Sequence, residues 1–442
     1  MTLSEQDLRA AIDRELPGVR ADLERLVRIP GIAFDGFDHG EIRRSAEAVA
    51  DLLRGCGLEP VISHDAVIAR RPGPPGSPTV MLYAHHDVQP AGDRALWSSD
   101  PFEPAERDGR LYGRGTADDK SGIMAHLAAL RAFGDDLPVG VVVFVEGEEE
   151  YGSRSMPAIL REHAGDLRAD VIVIADSTNW DLGAPALTTS LRGEINCFVK
   201  VRTLRAAVHS GIYGGPAPDA LTVLARLLAT LHDADGTPAV AGLGGSGDAA
   251  LDYPEDRYRR LAGVLDGVHL IGTGSVAGRL WAKPAISVLG ITAPPAEGAP
   301  NAIVPTAKAK VSVRVPPGTD ARTAWEAVRA HLERNVPWGA QASVTLEVIG
   351  QPERMPTTGP VVDAARAALR AAWEGTEPVD MGLGGSIPLV AQLRELYPDA
   401  TILVTGAEDP YSSTHSPDES IDVSEFARIC LAEALLLRNL AA

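Results

Sequence analysis

In Val80-Met81-Leu82-Tyr83-Ala84-His85-His86-Asp87-Val88-Gln89-Pro90 an apolar run of strand length ends in two imidazoles and a carboxylate, and a proline closes it. Strand residues alternate faces, so His85 and Asp87 share one side and His86 takes the other. A His and an Asp on one side of a strand end can act as a metal ligand and the group that orients it. Other acid- or His-bearing segments can answer this one. They are Asp118-Asp119, the run Glu146-Gly147-Glu148-Glu149-Glu150, Asp176 after Val173-Ile174-Ala175, and His415 in Ser413-Thr414-His415-Ser416-Pro417. Two imidazoles with several carboxylates suit a borderline divalent ion such as Zn²⁺ or Mn²⁺. A pair of ions needs a bridging carboxylate and sits ~3.5–4 Å apart in two-metal hydrolases.

Each feature also has a plainer reading. A lone His at a strand end is usually a hydrogen-bonded loop residue, and an acidic triplet such as Glu148–Glu150 is usually a solvated turn. Asp118 could simply cap a helix that begins near Ser121. Taken singly, each residue favours the plain reading. Together they resist it, because three of them follow predicted buried strands of one sheet.

The elements that must position these residues are legible as patterns. Leu8, Ile12, Leu16 and then Leu23, Leu26 and Val27 have helical spacing, and Ser45–Leu53 repeats it. Val61–Arg70 reads as a strand, followed by a loop rich in Pro and Gly over Pro72–Pro78. Strand Thr79–Ala84, helix Ser121–Phe133, strand Val139–Glu146, helix Ser155–His163 and strand Val171–Ala175 then alternate. Short apolar strands alternating with helices predict a mainly parallel α/β sheet covered on both faces. Binding residues in such sheets gather at the carboxyl ends of strands, where His85, Glu149, Glu150 and Asp176 fall.

The grammar changes near Leu187. Strands over Ile195–Thr203, Ala285–Ile291, Ala307–Val315 and Ala342–Ile349, with helices over Asp219–His232 and Thr319–Asn335, predict an α+β unit. Helix–strand alternation resumes through Val362–Trp373, Thr401–Val404 and Val423–Asn439. The expected organisation is a discontinuous catalytic α/β domain, residues 1–187 and 353–442, with an α+β domain inserted over 188–352.

Of 442 residues 45% are hydrophobic and 23% charged, as in an ordinary globular protein. The net charge of −19 disfavours nucleic-acid or anionic-membrane binding, which want a basic face. Cys56, Cys197 and Cys430 form no CxxC pair, so neither a disulfide framework nor a thiolate zinc site is indicated. The N-terminus lacks an apolar signal region, and no apolar run approaches a membrane span. A cytoplasmic protein with no nucleic-acid or membrane partner is expected.

Several strings taken in order resemble the di-metal aminoacylase/dipeptidase superfamily. It includes carnosinases, carboxypeptidase G, acetylornithine deacetylase and succinyl-diaminopimelate desuccinylase. The strings are Tyr83-Ala84-His85-His86-Asp87-Val88-Gln89-Pro90, Trp97-Ser98-Ser99-Asp100-Pro101-Phe102, Gly113-Arg114-Gly115-Thr116-Ala117-Asp118-Asp119-Lys120, Val208-His209-Ser210-Gly211, Gly384-Gly385-Ser386-Ile387-Pro388 and His415-Ser416. The likeness runs over nearly the whole chain and is nearest to carnosinase-type dipeptidases. Ser121 and Ala84 stand where that family commonly has Gly, and neither change removes a functional group.

The resemblance implies roles for these positions. His85 and Asp176 would ligate one metal, His415 and Glu150 the other, and Asp118 would bridge both. Asp87 would fix the tautomer of His85, and the Asp118–Asp119 peptide bond would be cis. Glu149 would be the general base. Gly152-Ser153 sets that register and leaves Glu148 as a solvent-facing extra. Within a ferredoxin-like lid and dimerisation domain, His209 would stabilise the oxyanion across a homodimer interface. Arg314, Gly385, Ser386 and Asn301 would hold a substrate carboxylate. His86, His126 and His232 are left as structural or surface residues.

The expected activity is metal-dependent hydrolysis of an amide bond in small peptides with a free C-terminal carboxylate, with two Zn²⁺ or Mn²⁺ ions as cofactors. The long insert Asp235–Lys283 resembles the enlarged lid of carnosinase-type enzymes and favours a dipeptide substrate. The alternatives are an N-acyl-amino-acid deacylase and a non-catalytic metal- or ligand-binding relative. A two-metal phosphoesterase is more remote, since no Gly-rich phosphate loop with a Lys is present.

Overall fold

The computed structural model describes residues 3–245 and 247–441. The chain divides into two units. One comprises Met1–Thr189, Met355–Met381 and Gln392–Ala442, and the other Ser190–Arg354 and Gly382–Ala391. The sequence reading kept 382–391 with the catalytic part. In the structure this segment clusters with the inserted strands, and Leu383 O accepts from the Arg192 N–H.

The first unit is built on a six-stranded sheet in the order Val61–Ser63, Ala66–Arg71, Gly140–Glu146, Thr79–His85, Val171–Ile174, Thr401–Val404. The last four run parallel, and the first two form an antiparallel hairpin at one edge. The expected single strand over Val61–Arg70 is therefore two. His64 and Asp65 carry positive φ of 49° and 62°, and such two-residue turns reverse a strand with the right twist. Gly140–Glu146 is buried at every position, as its unbroken apolar run requires of a strand covered on both faces.

Helices supply that cover. Glu5–Val27 starts at a capping box between Ser4 and Asp7 and buries Leu8, Ile12, Val19, Leu23 and Leu26. Lys120–Phe133 and Val423–Leu440 pack into the same core mainly through apolar side chains, and also bury Lys120, Ser121, His126, Glu425 and Glu433. Among the described residues no helix is long and apolar enough to cross a membrane.

The second unit contains a four-stranded antiparallel sheet in the order Ala285–Thr292, Thr306–Val315, Gly193–Arg202, Gln341–Gly350. Ile195, Cys197, Val199 and Val201 alternate onto one face, where the helices Ala220–Ala229 and Ala321–Arg334 contribute Val223, Leu227, Val328 and Leu332. The opposite face carries Phe198 with the Lys308 ammonium 3.5 Å from its ring centre.

Candidate metal centre

Apart from Asp118, every ligand candidate of the first unit lies at the carboxyl end of a parallel strand or on the loop that follows. His85 ends its strand, Glu149 and Glu150 occupy the short helix Glu149–Tyr151, and Asp176 follows Val171–Ile174. His415 lies beyond Thr401–Val404 with φ of 59°. Asp118 precedes the helix Lys120–Phe133, and the Asp118–Asp119 peptide bond is cis. Neither aspartate caps that helix through its side chain. Asp119 instead accepts from the His85 N–H at 3.2 Å.

Asp118 sits between the two imidazoles. Its Oδ1 is 3.0 Å from His85 Nε2 and its Oδ2 is 2.9 Å from His415 Nε2. Glu150 Oε2 is 3.2 Å from His415 Nε2 and also accepts from Gln89 at 2.7 Å. Donor atoms of His85, Asp118 and Asp176 lie within 4.8 Å of one another, and so do those of Asp118, Glu150 and His415. The two groups share Asp118.

The electrostatics show a charge deficit. Burial pushes Asp176 up to about 7, and burial with neighbouring carboxylates raises Glu149 and Glu150. Hydrogen bonds to Asp118 and Glu150 push His415 up to about 11, although its side chain is half exposed. Burial would raise Asp118, but the His415 and His85 contacts outweigh it and hold the carboxyl below its usual range. Carboxylates gathered in a low-dielectric site repel unless cations join them. This donor set, oxygen-rich with two imidazoles and one shared carboxylate, fits a pair of divalent ions.

The supporting residues add to the sequence reading in two places. The carboxylate of Asp87, wholly buried, accepts from the N–H groups of Glu149 at 3.1 Å and Glu150 at 3.0 Å. Its Oδ1 is 3.4 Å from His85 Nδ1, which lies closer to the Asp87 backbone carbonyl at 3.1 Å. Asp87 thus anchors the acidic turn as well as facing His85. Glu148, half-buried, accepts from the Ser155 N–H at 2.9 Å ahead of the helix Met156–His163. His86 turns to the other side and bonds Asp65 O at 2.8 Å.

Two supports escaped the sequence reading. Glu419 Oε1 accepts from the N–H groups of Gly115, Ala117 and Asp118, while its Oε2 pairs with Arg114 at 2.6 Å, all buried. The signal was an acid four positions after His415 and an Arg inside the glycine string. Glu408, after the edge strand Thr401–Val404, is raised well above its ordinary value by burial and by Asp118 and Asp176.

Residues 81–439 match the model of Peptidase family M20/M25/M40. The chain belongs to that family. The matched span takes in His85 through His415. Among relatives of the peptidase, the cysteinylglycine-S-conjugate dipeptidase of Corynebacterium striatum is 39% identical over 381 residues, covering 84% of this chain and 83% of that protein. The human beta-Ala-His dipeptidase is 29% identical over 380 residues, covering 80% and 73%. The crystal structure of human carnosine dipeptidase 1 superposes with a TM-score of 0.85 at 25% identity, covering 99% of this chain and 98% of the other.

In the second unit of this M20 peptidase, the short strand Val208–His209 pairs with Ala302–Ile303. Ser210 donates to Asn301 O, so His209 and Asn301 belong to one corner. His209 is exposed, and its Nδ1 accepts from the Gly211 N–H at 3.0 Å. Arg314 lies 3.6 Å from Glu194 Oε1. A Cβ added at Gly385 would meet nothing nearer than the Leu383 side chain, at 3.8 Å.

Proposed function

We propose that this chain is a metal-dependent dipeptidase. The carrying observation is the Asp118 carboxylate with one oxygen toward His85 and the other toward His415. His85 and Asp176 would hold one divalent ion, Glu150 and His415 the other, and Asp118 both; the donor set suits Zn²⁺ or Mn²⁺. Bound there, the ions lower the pKa of a water and polarise the scissile carbonyl. Glu149 takes the proton from the attacking water and hands it to the leaving amine. Its carboxyl has no hydrogen-bond partner among the described residues, which leaves it free to meet a water. Asp87 keeps Glu149 and Glu150 in register through their N–H groups.

His209 would stabilise the oxyanion from the partner of a homodimer. Arg314, Gly385, Ser386 and Asn301 would receive the substrate's C-terminal carboxylate, for which a guanidinium fork is matched in charge and shape. Exposed Leu289 and Ile291 on the edge strand Ala285–Thr292 support a lid that dimerises. The three free cysteines support a reducing, cytoplasmic setting.

The test is hydrolysis by chain reconstituted with Zn²⁺ or Mn²⁺. The panel holds dipeptides, including Cys-Gly and its S-alkyl conjugates, beside N-acetyl and N-succinyl amino acids. Dipeptides are expected to be turned over fastest. Far faster cleavage of the N-acyl amino acids would replace this reading with a deacylase. Glu149→Gln is expected to keep its metal and lose turnover, and full activity in that variant would sink the mechanism.

A further inference from the structure

The inserted unit forms a cavity of about 670 Å³ whose wall holds no metal-centre candidate and none of His209, Asn301, Arg314, Gly385 and Ser386. Segments 236–245, 264–273 and 276–287 supply most of that wall. Val240, Leu243, Val264 and Val276 line it with aliphatic surface. Its basic groups are Arg192, Arg279, Lys283, His232 and His269, and among the described residues no carboxylate joins them. Acids outnumber Lys and Arg in this chain by 60 to 41, so a basic wall without an acid runs against the composition. A cavity of this size suits a small ligand, and such sites pair an apolar lining with a few placed polar groups.

The cations of this wall are held without being neutralised. Arg279 Nη1 donates to Ile271 O at 3.0 Å and Lys283 Nζ to Thr273 O at 2.6 Å, so both heads reach one strip of backbone. Arg192 donates to Gly384 O and Arg279 O. None of the three forms an ion pair among the described residues. Acids of the enclosing loops are committed to the chain itself. Asp233 accepts from the Asp235 and Thr237 N–H groups, and Glu255 pairs with Arg259. Asp248 accepts from the Ser275 hydroxyl and the Ala249 N–H; Ser275 foremost, and Lys283 more weakly, hold its carboxyl below the ordinary range. Arg279 lies on the π-helical turn Gly278–Ala282, a rare geometry that recurs at functional sites. The wall residues Val268 and Ile271 are 50% and 64% exposed, so apolar surface continues out of the cavity. Arg279 and Lys283 are half-buried, and cations that face only carbonyls there leave a place for an anion.

We propose that this cavity is a binding site for an aliphatic carboxylate, with the carboxylate on Arg279 and Lys283 and the alkyl chain along Val240, Leu243, Val264 and Val276. The guanidinium and the ammonium supply charge-assisted bonds, and the lining supplies the place for methylenes. The inference stands apart from the dipeptidase reading, since no metal-centre residue takes part. Loss of one charge-assisted contact corresponds to about a ten- to hundred-fold weaker grip. Each CH₂ that enters the cavity strengthens it about four-fold.

The test is calorimetric titration of the metal-reconstituted full chain with butanoate, hexanoate, octanoate and octan-1-ol. Octanoate is expected to bind saturably at one site per chain, and affinity should rise about four-fold per CH₂ along the acid series. Octan-1-ol, which lacks the charge, should bind about ten-fold more weakly or worse. Arg279→Gln and Lys283→Gln should each weaken octanoate about ten-fold or more, and Leu280→Trp, which fills the cavity, should abolish its binding. Arg314→Gln should bind octanoate as wild type does. No saturable binding of octanoate, equal affinity for acid and alcohol, or an affinity that does not grow with chain length would overturn the proposal. So would unchanged affinity in both cation variants. Loss of binding in Arg314→Gln would also refute it, by moving the carboxylate to the substrate corner. Should the cation variants not fold, Leu280→Trp decides with the acid and alcohol series: lost octanoate binding supports the cavity, and retained binding refutes it.

Discussion

Replacing Asp87 by Ala tests how the acidic turn is held. The Asp87 carboxylate is wholly buried and accepts from two backbone N–H groups, at 3.1 and 3.0 Å. A hydrogen bond to a charged group contributes ~1.5–3 kcal/mol, so losing both costs about 3–6 kcal/mol. The helix Glu149–Tyr151 has no side-chain cap of its own, and among the described residues no other acceptor meets those two N–H groups. Both glutamates then shift, and a misplacement of ~1 Å lowers turnover on the order of 100-fold. Asp87→Asn keeps the shape but sets an NH₂ group against one N–H, so about half the destabilisation is expected, ~1.5–3 kcal/mol. Urea unfolding and steady-state kinetics on the metal-reconstituted chain read both effects. If Asp87 served His85 alone, stability would hold while metal affinity fell ~10–100-fold. A loss below about 1 kcal/mol with near-normal turnover would refute the anchoring argument altogether.

Three further outcomes follow from the same geometry. His85→Ala should lose bound metal and activity, whereas His86→Ala, which removes a bond to Asp65 O, should keep its metal and most of its turnover; equal metal loss by elemental analysis would break the assignment. Glu419→Ala leaves Arg114 buried without its partner and should cost about 3–5 kcal/mol in denaturant unfolding, with activity falling because the N–H of Asp118 loses its acceptor. His126 is buried against Glu433 at 2.6 Å; burial pulls its pKa down, but Glu433 and the Tyr83 carbonyl outweigh that and raise it above the ordinary 6.5. A raised folded value means the pair's contribution is complete below the unfolded pKa and fades as pH climbs through the folded one. The stability gap between wild type and His126→Gln should therefore narrow from pH 6 to pH 9, and a widening gap would reverse the sign.

What the sequence determined follows from short-range rules. Continuous apolar runs ending in His85, Glu146 and Ala175 mark buried parallel strands, because only a strand covered on both faces tolerates apolar residues at every position. Open α/β sheets bind at the carboxyl ends of strands, so the acids and imidazoles after those runs are candidates by position alone. Single-residue alternation also separates His85 from His86. The hairpin at His64-Asp65 escaped because two adjacent positive φ angles in non-glycine residues leave no composition signal.

Tertiary structure decided the rest. Which acid holds which backbone depends on contacts between distant segments, such as Arg114 with Glu419, 305 positions apart. Asp87 was legible as a partner of His85 because the two share a strand. Its stronger duty to Glu149 and Glu150 was not, because that contact exists only once the strands ending at His85 and Glu146 lie side by side in parallel. Local periodicity reveals where a backbone goes, but desolvation and charge balance are properties of the packed whole.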